Sequence, residues 1–170
     1  VYETDTGWAF VHPMLRESME RRAREGGRLD AHHRAAALML QRRREDGQRD
    51  LAERIGRHLV AAGQLDQALE FLIEGASERV HTTGAREAAG QLEQARQAMR
   101  MLHLPDTDSR WTRLAIAFSQ VEAFRGDARK AQEWGERAVG MARAGRHGSL
   151  LPQAMEALAE KASKDVLQHL

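Results

Sequence analysis

Apolar residues recur along this chain at steps of three and four, interrupted at intervals by glycine, and the spacing predicts a succession of amphipathic helices. Met14, Leu15, Ser18 and Met19 form the first stripe, in a helix that His12-Pro13 opens and Gly26-Gly27 breaks. A second helix is predicted over 30–44 with Asp30 as its N-cap, followed by a turn at Asp46-Gly47. Leu51, Ile55, Leu59 and Val60 mark a third over 48–62, with Gly63 closing it. Asp66 is placed to cap the fourth, whose stripe is Leu65, Leu69, Leu72, Ile73 and Ala76. Thr82-Thr83-Gly84 punctuates again before a helix over 85–102. Pro105 stops continuation, and Asp108 or Ser109 can cap the helix over 111–124. Helices over 128–143 and 150–170 complete the series, the last with a stripe of Leu151, Met155, Leu158 and Ala162. Residues 7–11, an aromatic and β-branched run, are the single segment that reads as strand. About eight helices joined by short loops predict an all-α fold of antiparallel neighbours.

Within this series one helical phrase occurs twice. LVAAGQLDQALEFLIEGA, residues 59–76, and VEAFRGDARKAQEWGERAVGMA, residues 121–142, share a turn glycine, an alanine five residues on and a small residue seven beyond that. The positions are Gly63, Ala68 and Gly75 in the first, and Gly126, Ala131 and Ala138 in the second. Small residues let two helix axes approach, and Leu59 and Leu72 then fill the space between them. Gly56 serves the first pair in the same way, as does Ser119 the second. Ala88, Leu92 and Ala95 repeat the four- and three-residue steps between the two copies, so they belong to the same packing set. The spacing is uneven, and residues 68–80 are expected to serve two neighbouring pairs.

These positions resemble the tetratricopeptide pattern, with Gly135 standing where that pattern usually has a bulky residue. The resemblance implies an irregular right-handed superhelix of stacked antiparallel helix pairs over residues 46–170. The segment 1–45 resembles the end of the winged-helix region of STAND-type multidomain signalling ATPases. Phe10, His12, Leu15, Arg16, Glu17, His33 and Arg34 match that phrase, and ERIGRHLVAAGQLDQALEFL matches the family's entry into its repeats. This resemblance implies a cytoplasmic sensor or scaffold module, from a bacterial signalling protein or transcription regulator, that binds a protein partner or a sister domain on its concave surface. No G-x-x-x-x-G-K-[ST] loop occurs within the chain, so nucleotide binding by that route is not expected of this segment.

Composition narrows the chemistry further. The chain has 170 residues, 42% hydrophobic and 30% charged, with no cysteine, and hence no disulfide or thiolate site. A net charge of +1 favours neither nucleic acid nor a membrane surface, and the apolar runs are too short to span a bilayer. Residues 16–44 are locally basic, densest at Arg42, Arg43 and Arg44, and phosphate contact there is the alternative function. His32 and His33 are adjacent and so point about 100° apart on a helix, which disfavours a shared metal ion. The serines lack a nucleophile-elbow context, and Glu17–Glu20 or Glu156–Glu160 sit at helical spacing beside basic residues. Neither enzyme activity nor a cofactor is therefore expected. Trp134, between Glu133 and Gly135, is the aromatic candidate for a partner-binding groove, while Trp111 and Phe118 are expected in the core.

Overall fold

The computed structural model describes residues 2–4, 7–9, 12–80 and 84–168, with side-chain surroundings defined over 12–80 and 84–159. A short antiparallel ribbon comes first, β1 (Tyr2–Thr4) with β2 (Gly7–Ala9), in the register Tyr2 opposite Ala9. The predicted strand thus begins where expected, while Phe10 and Val11 lie outside the described residues. Its partner β1 carried no recognisable signal.

Eight helices follow among the described residues. They are α1 (Pro13–Glu25), α2 (Leu29–Glu45), α3 (Ala52–Ala61), α4 (Leu65–Val80), α5 (Ala85–Met101), α6 (Ser109–Phe124), α7 (Ala128–Ala144) and α8 (Leu151–Gln168). Two of the predicted caps are displaced. Asp30 and Asp66 lie inside the first turns of α2 and α4, where a carboxylate still favours the positive end of the helix dipole. Asp108 does cap α6, accepting a hydrogen bond from the Arg110 amide at 2.9 Å, and Asp127 caps α7 through the Lys130 amide at 3.0 Å. Gly63 and Gly126 take φ of +71° and +79°, the left-handed geometry that ends α3 and α6.

Each helix packs on its neighbours in sequence, and α6 also packs on both α4 and α8. Among the described residues α3, α5 and α7 make no corresponding contact among themselves. The result is a superhelical stack of helix pairs with one continuous layer and one gapped layer. As the sequence suggested, α4 serves two pairs, since it packs on α3, α5 and α6. The two copies of the helical phrase, however, occupy opposite layers: Ala68 lies on α4, in the continuous layer, and Ala131 on α7, in the gapped one. The shared phrase records how two helices meet, and that geometry is the same whichever layer comes first.

The close crossings fall at the small residues. A Cβ on Gly75 would stand 2.6 Å from the Glu53 amide nitrogen, and one on Gly56 would stand 3.1 Å from Leu72 Cδ2. Ala68, Leu72, Ala88, Leu92, Ala95 and Ala138 are completely enclosed, and Leu59 and Ala131 nearly so. Gly135 departs from the usual bulk for a local reason: α8 crosses there, with Leu158 Cα 3.2 Å from where a Cβ would be. Polar side chains lock the same crossings. Gln91 Nε2 donates to the Leu72 carbonyl at 2.9 Å, and the Ser119 hydroxyl donates to the Ala131 carbonyl at 2.8 Å.

Two predicted stripes are rotated. On α8 the enclosed residues are Ala154 and Ala157, with Leu151 and Leu158 half-buried, while Met155 is 51% exposed. The side chain of Ala162 lies outside the described surroundings. On α1 no residue is buried, and Met14, Leu15 and Met19 face outward, because α1 meets α2 alone.

Candidate functional site

Four carboxylates stand one helical turn apart along α4: Asp66, Glu70, Glu74 and Glu78. They run along the face that α4 turns toward the continuous layer, and arginines from both sides meet them. From α2, Arg44 donates to Glu74 through Nη1 at 2.8 Å and Nη2 at 2.5 Å, and its guanidinium lies 5.7 Å from the Phe71 ring centroid. From α6, Arg113 pairs with Glu70. Arg110 forks onto its own helix cap, Asp108, at 3.0 and 2.8 Å, and reaches Asp66 at 2.5 Å. Those bonds hold the Asp108 carboxyl below its ordinary range. Glu78 shifts the other way: burial raises it first, with Glu74 and Asp50 adding to the effect. The Arg44–Glu74 and Arg113–Glu70 pairs are largely solvent-facing, so each contributes about 1 kcal/mol or less, whereas Arg110–Asp108 is mostly enclosed. Their value is positional, since they fix the spacing of α2, α4 and α6.

Between α4, α6 and α8 this face sinks into a groove of about 460 Å³. Glu70, Glu74 and Ser77 line one wall, Arg113 and Gln120 the floor, and Gln153 and Glu156 the far wall. Ile73, Ile116 and Leu150 provide apolar patches among them. A groove with spaced amides, carboxylates and small apolar footholds suits an extended peptide, whose backbone needs donors and acceptors along its length.

Neither candidate from the sequence lies in this groove. Trp134 stacks on Phe118, with centroids 4.5 Å apart and planes inclined by 13°, and Arg137 covers it at 5.3 Å. Phe118 is core as expected, Trp111 is half-buried, and both tryptophans border a separate cavity of about 360 Å³ in the gapped layer. Of the arginine triplet at the end of α2, Arg44 is engaged by Glu74 and Phe71, and Arg43 is half-buried. The triplet therefore does not present three free guanidinium groups to a phosphate backbone.

The sequence reading also missed a histidine pair. His33 on α2 and His58 on α3 approach with Nδ1 atoms 2.9 Å apart, a hydrogen bond that requires one of the two nitrogens to lack a proton. His58 is held below its ordinary value of 6.5, first by burial and then by His33, Arg57 and Arg54, against Glu53. His32, beside it in sequence, takes no part. Elsewhere His147 ties the turn before α8 to the rest: Nε2 donates to the Thr107 carbonyl at 2.9 Å, and Nδ1 meets the Thr112 hydroxyl at 3.1 Å. Among the described residues no group of three or more His, Asp or Glu is arranged to hold a metal ion. None of the described helices is long and apolar enough to cross a membrane.

The acidic stripe was available to sequence reading as a four-residue period in like charge at 66, 70, 74 and 78. Its arginine partners were not, because they arrive from 30 and 43 residues away for Glu74 and Glu70. No family model matches the chain, and no curated protein or solved structure matches it either.

Proposed function

We propose that this chain is a protein-interaction module of tetratricopeptide-like character, whose working surface is the groove formed by α4, α6 and α8. One observation carries the reading: three alternate helices contribute side chains to a single groove, with α6 tied to α4 there by the Arg113–Glu70 pair. The occupant is an extended segment of a protein partner or of a sister domain. The resemblance of residues 8–34 to the approach to the repeats in STAND-type ATPases supports a place beside such an ATPase in the cytoplasm. Contact in the groove would there be coupled to the state of the larger protein, including a transcription regulator.

The test is selection of a random-peptide library on the chain, comparing the native sequence with the double variant Gln153→Arg, Glu156→Arg. Both positions are exposed, so the fold should tolerate the change. Enriched peptides should bind the native groove and lose affinity for the variant. An unenriched library, or peptides binding both proteins equally, would overturn the assignment.

A further inference from the structure

The gapped layer holds a second cavity, with chemistry unlike that of the groove. Because α5 and α7 do not touch, the space between them is floored by α6 and by the loop that precedes it. Arg96 and Arg100 stand one turn apart on the α5 wall, and Arg137 faces them from α7. Glu93 engages Arg96 through Nη2 at 2.8 Å, and among the described residues Asp106 is the one carboxylate lining the cavity itself. Leu104, Leu114 and Met141 supply the apolar part of the lining.

Two residues lining the cavity carry a buried hydrogen-bond donor with no acceptor among the described residues: Arg96 Nε and the indole Nε1 of Trp111. Both kinds of group are donors only, so they are satisfied by an acceptor and by nothing else. Arginines on opposing walls ask for the same partner, and a charged acceptor makes the stronger bond. Arg137 is already ordered by its position over Trp134, which lowers the entropy lost when it engages a ligand. A cavity of about 360 Å³ is of the size that takes a small molecule.

We infer that this cavity binds a small organic anion, a carboxylate or phosphate carried on a compact aromatic body. The anionic group lies among Arg96, Arg100 and Arg137, and the ring lies against Leu104, Leu114 and Met141. Arg96 turns its Nε edge toward the acceptor as the ligand enters. This site is on the layer opposite the peptide groove and does not depend on it.

Phenyl phosphate and benzoate are the probes, titrated by calorimetry and by tryptophan emission, since Trp111 and Trp134 border the cavity. Saturable binding of at least one probe at one site per chain is expected. Substituting Arg100→Gln together with Arg137→Gln should weaken it by about tenfold or more, the loss of charged hydrogen bonds. Both residues are exposed, and unchanged circular dichroism would exclude a folding defect. Arg113→Gln, in the groove, should leave binding as it was. Inorganic phosphate and phenol, each holding half of the probe, should bind more weakly than phenyl phosphate. Absence of saturable binding by both probes, equal binding by the double variant, or inorganic phosphate binding as tightly as phenyl phosphate would each overturn the inference.

Discussion

The two halves of the stack fill their interiors by different means. From α2 to α6 the core is built on large side chains, with Leu40, Ile55, Leu69, Leu72, Leu92 and Leu114 all enclosed. From α6 to α8 it is mostly alanine, with Ala115, Ala138, Ala154 and Ala157 around Ile116 and Val139. The first half gains stability from apolar area, the second from backbones brought close enough that small residues suffice. Removing bulk should therefore injure the first half, and adding it should injure either half wherever two backbones cross.

The largest effect is expected from Leu72→Ala, which empties space between α3 and α4 and should cost about 2–5 kcal/mol in denaturant unfolding. A loss below about 1 kcal/mol would show that the first half is not held by bulk. Next comes the reverse operation. Gly75→Ala would press a methyl against the Glu53 backbone and the Gln91 amide, and should cost about 1–3 kcal/mol. Gly135→Ala should cost less, because Leu158 Cδ1, Cα and Cβ stand 3.1–3.2 Å from the added methyl, against 2.6–2.8 Å for the neighbours of Gly75. If the order of these two glycine variants is inverted, the α7–α8 crossing is the tighter one.

A smaller effect should follow pH. Because folding lowers the His58 pKa, the unfolded chain binds the proton more readily, and stability falls as pH drops through the ordinary histidine range. Unfolding midpoints at about pH 8 and about pH 5 bracket that range. His58→Gln keeps a polar side chain against His33 without the titration, and the contrast between the two pH values should shrink. An undiminished contrast would assign the dependence to other groups. The smallest change is a gain. Gly140 is exposed inside α7, with nothing within 4 Å of an added Cβ, so Gly140→Ala should stabilise by about 0.5–1 kcal/mol. A melting temperature that does not rise would mean α7 is not limited by its own helix propensity.

Much of the fold was legible because helix breaks are chemically loud. Gly26-Gly27, Asp46-Gly47, Gly63, Gly84, Pro105 and Gly126 lie between helices in the structure. The small positions Gly56, Ala68, Gly75, Ala88, Ala95, Ala131 and Ala138 are buried, because a crossing admits little else. Which layer each copy of the phrase occupies was illegible, since that depends on contacts between helices that are not adjacent in sequence. Met155 was misassigned for a related reason: its neighbour Ala154 is too weakly hydrophobic to advertise the buried side of α8, yet it is the residue that fits. The groove between α4, α6 and α8 escaped notice because a stripe of charge lines it, and charge at helical spacing normally reads as a solvated face. Trp134 drew attention as an aromatic between Glu133 and Gly135, and the structure sets it in a different cavity from the groove.

One helix stands on both sides of the comparison. Leu114, Ala117, Phe118 and Val121 give α6 one face in the Leu-rich cluster, while Ala115 and Ile116 give it another in the alanine cluster. An array of repeats usually frays from its ends, because each unit touches only its neighbours. Here neither cluster keeps its wall if α6 unwinds, so melting of either half removes part of the other's boundary. Each half is thereby tied to the fate of the other through α6.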